Sequence, residues 1–444
     1  MNIYIDTLGC AKNEYDSQML AASLLDRGCR IVVSPEDADI IIVNTCGFIE
    51  AAKRESIERI LEFAEAAGKG SDNEATDKDI KIVVCGCLAE KYHEELAKEL
   101  PEVDMFFGVN DYDDLPDRLM ESSDKSDLVG SGLDDLRYRK RKIEENAHYA
   151  YLKIAEGCDN ACSFCAIPSI RGPFRSKRME DCIKEAEDMA SIGVKELILI
   201  AQDTSQYGKD LYGEVRLPQL LQELCKIEGI EWIRLLYVYD NGITDELIEV
   251  LKNEPKICKY IDMPIQHISD NVLKLMRRAS RGASVKATID KLRAEIPDVH
   301  IRTTLLVGSP GETEDDIAEL LEFIDEYEID RLGAFAYSDE DGTAAYDMEG
   351  KNPQDVCEAR RDLVMQHQRE VSERNNIKTI GQTYDVIIDE VVEDNLYTGR
   401  TRYDAPEIDC EVTFTGPSGY KSGDIVKVKI NSAYEYDLEG EAVE

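Results

Sequence analysis

Cys158, Cys162 and Cys165 stand at offsets 0, 4 and 7 in one short loop, Cys158-Asp159-Asn160-Ala161-Cys162-Ser163-Phe164-Cys165. Thiols this crowded point to a metal or cluster site. The apolar run at 149–154 leads through Glu156 and Gly157 into Cys158, so the loop leaves the carboxyl end of a strand. The count matters as much as the spacing. Structural zinc closes its shell with four ligands, and a cubane iron–sulfur cluster is usually held by four cysteines. Three cysteines leave one iron without a protein ligand, and that open position can take a substrate. A zinc knuckle or a buried cysteine cluster is the plainer alternative.

From residue 149 onward strand and helix signals alternate. Strands are predicted at 149–154, 196–201, 232–237, 260–263, 301–307 and 332–336, with helices at 179–192, 217–227, 245–252, 271–277, 285–294, 313–327 and 354–373. Six βα units in series predict a parallel barrel or part of one, with its sites at the carboxyl ends of the strands.

Residues 1–120 carry a second alternation. Strands are predicted at 2–7, 40–44 and 80–85, and helices at 16–27, 57–67 and 90–100; Met19, Leu20, Leu24 and Leu25 form one apolar stripe. This order implies a parallel sheet covered on both faces. Residues 68–79 are polar and read as a loop. Cys10, Cys46 and Cys87 follow the three strands, in Gly9-Cys10, Asn44-Thr45-Cys46-Gly47 and Cys85-Gly86-Cys87-Leu88. The carboxyl ends of parallel strands share one edge, so these cysteines are expected to converge there. The adjacent glycines permit tight turns. That predicts a second three-thiolate cluster with an open iron; ordinary structural cysteines are the alternative, and Cys85 is ambiguous beside Cys87.

The spacing C-x3-C-x2-C, with Phe164 before the last cysteine, resembles the fingerprint of the radical S-adenosylmethionine (SAM) superfamily. In that superfamily SAM chelates the open iron through its amino and carboxylate groups. It is then cleaved to a 5′-deoxyadenosyl radical within a partial (β/α)6 barrel. The stretches Gly9-Cys10, Asn13, Asp16-Ser17, Asn44-Thr45-Cys46 and Gly86-Cys87-Leu88-Ala89 resemble the N-terminal domain of the methylthiotransferases. These are radical SAM enzymes with two [4Fe–4S] clusters. The resemblance implies that Cys158, Cys162 and Cys165 hold the SAM-binding cluster and that Cys10, Cys46 and Cys87 hold an auxiliary one. The family pattern selects Cys87, which precedes Leu88-Ala89, over Cys85. Cys29, Cys182, Cys225, Cys258, Cys357 and Cys410 match no motif and read as small core or surface residues.

Other strand ends offer candidates. Gln202 follows its strand where radical SAM proteins bind the SAM amino group. Arg302 and Thr304 alternate on one strand and share a face; if that face lines the interior, Arg302 requires an anion, the SAM carboxylate being the candidate, and a surface salt bridge is the alternative. Pro264-Ile265-Gln266-His267-Ile268-Ser269 resembles a family motif, and His267 reads as a cavity residue or a hydrogen-bonded structural one. Gly308-Ser309-Pro310-Gly311-Glu312-Thr313 shapes a strand-to-helix turn and is no phosphate loop, since no Gly-Lys-Ser/Thr follows. The basic run at 137–142 reads as a solvated face, and Arg277-Arg278-Ala279-Ser280 as a chance kinase-site match.

Beyond residue 380 short strands at 384–390, 396–401, 411–414 and 425–430 are split by glycines, which predicts a small antiparallel barrel. It resembles a TRAM domain. TRAM modules commonly bind RNA, yet residues 380–444 hold 15 acidic against five basic side chains. A negative barrel repels tRNA and attracts a basic protein. Methylthiotransferases divide into a branch acting on adenosine in tRNA and a branch acting on an aspartate of a small-subunit ribosomal protein. Gly9-Cys10-Ala11-Lys12-Asn13, Ile167-Pro168-Ser169-Ile170-Arg171-Gly172-Pro173 and Arg402-Tyr403-Asp404-Ala405-Pro406-Glu407 lean to the protein branch.

The organisation expected is α/β: an N-terminal parallel α/β domain over 1–120, a linker over 121–147 that is Ser-, Asp- and Gly-rich through 135, a radical SAM core over 148–376 and the TRAM barrel over 380–444. The implied activity is methylthio addition to the β-carbon of an aspartate in a small-subunit ribosomal protein (protein twelve), giving 3-methylthioaspartate. A tRNA methylthiotransferase and a non-enzymatic iron–sulfur scaffold are the alternatives. The implied cofactors are SAM and two [4Fe–4S] clusters. The implied partners are the ribosomal protein or subunit, an electron donor and a sulfur source, with no membrane and no tRNA. Thirteen cysteines, an odd count gathered at motifs, suit a reducing cytoplasm rather than a disulfide scaffold. The amino terminus lacks a signal-peptide pattern, and no run of 18 apolar residues exists.

Overall fold

The computed structural model describes residues 1–47, 49–69, 80–121, 127–130, 132–133 and 136–443. Most of the expected loop at 68–79, and residues 122–126, 131 and 134–135 of the expected linker, lie outside the described residues. The chain divides into two compact units, one of residues 1–144, 155–160 and 166–181 and the other of 145–154, 161–165 and 182–444. Segments 155–160 and 166–181, assigned by sequence to the central domain, thus pack with the first unit. Among the described residues no helix is long and apolar enough to cross a membrane.

In the first unit β1 (Asn2–Thr7), β2 (Arg30–Ile31), β3 (Ile40–Thr45), β4 (Lys81–Gly86) and β5 (Met105–Phe107) form a parallel sheet in the order β2-β1-β3-β4-β5. Its residues alternate between two cores. Ile40, Ile42, Val83, Cys85 and Phe107 face Leu20 and Leu24 of helix Ala11–Asp26 and Leu115 and Leu119 of helix Leu115–Glu121. Ile41, Val43, Ile82, Val84 and Phe106 face Ile60 and Phe63 of helix Glu50–Ala66 and Leu88 and Leu96 of helix Cys87–Glu99. Both faces are therefore covered, as a parallel sheet requires. The basic run packs on this unit: Arg139 bonds Asp113 at 2.6 Å, Arg141 bonds Gln18 at 3.0 Å and lies over the Tyr15 ring.

Helix starts depart from expectation. The helices predicted from residues 16, 57 and 90 begin at Ala11, Glu50 and Cys87. The first turn of the first of them buries Lys12, Asn13, Asp16 and Ser17 in place of an apolar stripe, whereas the third starts on buried Cys87, Leu88 and Ala89. Hydrophobic periodicity cannot register a turn whose inward side chains are polar.

In the second unit, after β6 (Tyr149–Lys153) the chain runs through the two-stranded β7 (Ala155–Glu156) and β8 (Arg175–Ser176), which belong to the first unit. It then adds β9 (Glu196–Ile200), β10 (Trp232–Leu235), β11 (Ile257–Asp262), β12 (His300–Val307) and β13 (Arg331–Ala336). The six parallel strands lie in the order β13-β12-β11-β10-β9-β6, and the end strands do not pair, so the sheet stays open. β9 and β10 are buried throughout, whereas β12 alternates strictly between buried and half-buried residues.

The carboxyl-terminal barrel is closed, from β14 (Thr383–Glu393), β15 (Leu396–Thr401), β16 (Val412–Thr415), β17 (Ile425–Ala433) and β18 (Leu438–Ala442). β18 was not expected, and its pairing with β16 is parallel, so the barrel is not wholly antiparallel. Leu438 alone in that strand is fully buried, which leaves little hydrophobic pattern to read. Buried ion pairs fasten the barrel to the amino-terminal ends of the sheet. Glu196 receives Arg234 at 2.6 Å and Arg400 at 2.8 Å, and Arg400 also pairs with Asp389 at 2.8 Å. Burial opposes ionisation of Glu196, yet the two guanidiniums outweigh it and hold the carboxyl below its usual range. Glu196→Gln leaves Arg234 buried without a carboxylate and Arg400 with Asp389 alone. We expect it to destabilise this unit by about 3–5 kcal/mol, measured as a lowered urea midpoint of the cluster-free protein.

Candidate cluster sites

Parallel pairing carries the ends of β1, β3 and β4 to one edge, and the three cysteine loops meet there. A Cβ placed on Gly9 would lie 2.7 Å from Cys46 Cβ and 3.1 Å from its sulfur; one on Gly47 would lie 2.9 Å from the Leu88 backbone. Only glycine permits this closeness. Cys10 caps helix Ala11–Asp26, and Cys87 is the first residue of helix Cys87–Glu99. Both positions therefore lie at helix amino termini. Cys46 is fixed by its N–H, which donates to Ser56 Oγ at 3.2 Å.

Side-chain amides tie the loops together. Asn13 Nδ2 donates to the carbonyls of Leu8 at 2.8 Å and Thr45 at 3.0 Å. Asn44 Nδ2 donates to Asn13 O at 3.0 Å, and Tyr112 donates to Asn44 Oδ1 at 2.9 Å. Cys46 and Cys87 are buried while Cys10 is exposed, so the group of thiols opens to solvent on the Cys10 side. Burial pushes the Cys87 thiol up to about 12; Arg171 pulls against this, and Cys10 and Cys46 add to it. A thiol raised in this way is deprotonated by metal binding, which releases its proton. Among the described residues no three His, Cys, Asp or Glu side chains gather tightly enough for a single metal ion. A four-iron cube keeps its thiolates further apart than one ion does, so the three glycine-lined loops fit a cluster. Cys85 lies inside β4, fully buried in the core, and burial raises its thiol strongly.

Arg171 stands behind Cys87 and went unassigned in the sequence. It is 2% exposed. Its Nη2 donates to Asn13 Oδ1 at 2.8 Å and to Cys87 Sγ at 3.3 Å, and its Nη1 to Asp16 and Glu156, both at 3.0 Å.

The Cys158–Cys165 loop is anchored separately at its two halves. In the first, Cys158 donates its N–H to Gly172 O at 3.2 Å, Asn160 Nδ2 donates to Cys158 Sγ at 3.4 Å, and Asp159 accepts the Phe174 N–H at 3.0 Å. Gly157, at φ +78°, leaves no room for a Cβ, which would sit 2.1 Å from Pro173 O. In the second half, Ser163 bonds Met276 O at 3.0 Å and Ala345 N–H at 2.7 Å through its backbone. Cys162 Sγ lies 3.9 Å from Arg278 Nη1 and 4.0 Å from Tyr239 OH. Arg278 is buried, stacks 4.3 Å above Tyr239 and bonds Pro264 O at 2.7 Å. Part of the presumed kinase-site match is thus a buried support.

Gln202 is half-buried at the carboxyl end of β9, beside Asp203, which accepts the Ser205 N–H at 3.1 Å and caps the next turn. Arg302 and Thr304 share the half-buried face of β12. The anion that Arg302 requires is supplied by the chain: Asp262 at 2.8 Å and Asp409 at 3.3 Å. Its charge is met without a ligand carboxylate, because its strand position faces the carboxyl-terminal barrel's 402–411 segment. His267 is fully buried, and burial lowers its imidazole to about 4; neutral Nδ1 accepts the Ser269 N–H at 3.0 Å. Glu312 accepts the Gly308 N–H at 2.8 Å, so this loop shapes its turn.

Comparisons with known proteins bear on both sites. The chain matches an uncharacterized protein family, UPF0004, over residues 2–108, the radical SAM superfamily over 152–324 and the TRAM domain over 380–443. It is 46% identical over 449 residues to the ribosomal protein uS12 methylthiotransferase RimO of Clostridioides difficile, covering 100% of this chain and 99% of that one. The same-named proteins of Acetivibrio thermocellus and Christiangramia forsetii are 46% and 45% identical, over 99% of this chain in each case. Among solved structures, the radical SAM methyltransferase TsrM of Kitasatospora setae superposes with a TM-score of 0.57 at 13% identity, covering 78% of this chain and 74% of that one. At that identity the likeness shows the fold.

Gly47→Ala forces the Cys46 loop away from the Leu88 backbone. After anaerobic reconstitution, iron and sulfide per chain should fall by about half, with the rest retained at the loop of Cys158. Full iron and sulfide in this variant would place the second cluster elsewhere.

Proposed function

Because the chain belongs to the ribosomal protein uS12 methylthiotransferase family of radical SAM enzymes, we propose that it adds a methylthio group to the β-carbon of an aspartate in that small-subunit protein, giving 3-methylthioaspartate. The observation carrying this reading is near-complete coverage at 46% identity, together with three cysteine loops that meet at one sheet edge. An iron–sulfur carrier has no use for the SAM-type sheet.

Cys158, Cys162 and Cys165 would hold the cluster that binds SAM, and Cys10, Cys46 and Cys87 the auxiliary one. When bound, these groups supply reductive cleavage of a sulfonium, and hence removal of hydrogen from an unactivated carbon, together with the sulfur that is transferred. The chain's own residues have other tasks. Gly157 and the Cys158–Gly172 hydrogen bond fix the first thiol; Arg278 and Tyr239 back Cys162; Gln202 is placed at a strand end to meet the SAM amino group. Gly9, Gly47 and Gly86 hold the auxiliary thiols together, and Cys10 is the exposed one through which a substrate side chain gains access. An external one-electron donor and a sulfur source complete the reaction in the reducing cytoplasm.

Charge favours a basic protein as substrate over tRNA. Arg400 and Arg402 of the carboxyl-terminal barrel turn inward to Glu196 and Pro255 O, leaving three exposed lysines against its many exposed carboxylates. Such a field accelerates encounter with a basic partner and repels phosphate.

Replacing Cys158, Cys162 or Cys165 by Ala should abolish 5′-deoxyadenosine formation. Replacing Cys10, Cys46 or Cys87 should leave it intact while methylthio product disappears. Mass spectrometry after anaerobic incubation with ribosomal subunits and, separately, with tRNA is expected to find the added mass on uS12; finding it on tRNA would reverse the substrate assignment.

A further inference from the structure

A buried guanidinium surrounded by carboxylates ordinarily needs no explanation beyond stability. Arg171 departs from that pattern in its geometry. Asp16 and Glu156 both take Nη1, and two carboxylates already exceed its single positive charge. Nη2 nevertheless turns to Cys87 Sγ at 3.3 Å and to Asn13 Oδ1 at 2.8 Å. Asn13 is the same side chain that ties the Cys10 and Cys46 loops. The next residue, Gly172, accepts the N–H of Cys158 at 3.2 Å, and Glu156 lies two residues before that cysteine. Consecutive residues 171 and 172 therefore touch one cysteine from each proposed ligand set.

We propose that Arg171 is a positioning residue for sulfur transfer: it donates a charge-assisted hydrogen bond to the Cys87 sulfur and, through Glu156 and Gly172, ties that sulfur to the strand leading into Cys158. This rests on the methylthiotransferase reading. Two consequences follow from the chemistry. An N–H donor at a ligand sulfur withdraws electron density and raises the potential of the group it ligates. A planar fork with two occupied nitrogens also fixes Cys87 against Glu156 in a way a lysine cannot reproduce. Loss of Arg171 should therefore uncouple the reaction, with SAM cleaved but sulfur not delivered.

The test uses full-length, anaerobically reconstituted wild-type, Arg171→Lys and Arg171→Met proteins. Three quantities are read: iron and sulfide content, the ratio of methylthiolated uS12 to 5′-deoxyadenosine, and the midpoint potential of the auxiliary cluster. The potential is measured by spectroscopic redox titration in a background in which Cys158, Cys162 and Cys165 are all Ala. We expect iron to be retained, the product ratio to fall by about 10–100-fold in both variants, and the auxiliary potential to move negative, further for Met than for Lys. An unchanged potential with an unchanged ratio overturns the proposal. So does loss of the auxiliary iron from both variants with an equal drop in the melting temperature of the cluster-free protein, since Arg171 would then be a structural support. The wild-type control separates this from failure of the functional reading: wild-type protein that never modifies uS12 counts against the function, whereas active wild type with normal variants counts against Arg171 alone.

Discussion

Parallel strand pairing is the constraint on which the sites depend. It sends every strand's carboxyl end to one edge, so residues far apart in sequence arrive together without any local motif to gather them. In the first unit that is the sole means by which Cys10, Cys46 and Cys87 meet. Cys158, Cys162 and Cys165 instead share one short loop, whose second half is held by the Ser163 N–H on Met276 O. The two thiol sets therefore differ in how they form. The loop of Cys158 carries its ligands covalently, whereas the other set exists only once β1, β3 and β4 have paired.

What could be read from the sequence followed apolar periodicity and spacing. The strands β1, β3 and β4, the serial βα units and the closed small barrel all carry enough buried aliphatic residues to announce themselves. The first turn of helix Ala11–Asp26 did not, because inward side chains such as Asn13, Asp16 and Ser17 are polar and serve the thiol loops rather than the core, and helix Cys87–Glu99 begins on buried Cys87, Leu88 and Ala89, one turn before the expected start. Their earlier start places Cys10 and Cys87 at helix amino termini. β18 escaped because it buries a single leucine, which leaves no apolar alternation even though the strand forms a hairpin with β17. Arg302 was legible as a residue needing an anion but not as one satisfied by Asp262 and Asp409, since Asp409 comes from a segment more than a hundred residues away. Arg171 and Arg278 had no local signature: a buried arginine is identified by its partners, and those are distant in sequence.

Acidity acts on two scales. At short range, Asp404 and Asp409 neutralise arginines of the sheet and fasten the carboxyl-terminal barrel to it: Arg331 meets Asp404 at 2.7 Å and Arg302 meets Asp409 at 3.3 Å. These carboxylates add nothing to the external field. At long range the formal charge of −40 remains, and the inward turn of Arg400 and Arg402 makes the barrel's outer surface more negative than its composition indicates. A fold type that elsewhere presents basic residues to RNA here uses its arginines as internal ties.

The same reasoning explains why both thiol loops are backed by arginine. Arg171 reaches Cys87 and Arg278 approaches Cys162, and both are buried. A lysine ammonium is strongly hydrated and loses its charge readily on burial; a guanidinium is weakly hydrated, always protonated and planar. Its stem and face pack against protein, as Arg278 does on Tyr239, while its edge keeps donors aimed at sulfur. Each guanidinium also holds a backbone or side-chain partner on the far side, Pro264 O for Arg278 and Glu156 for Arg171. A cation free to follow its anion would screen the thiolate wherever it moved. One held at both ends fixes where the sulfur must be.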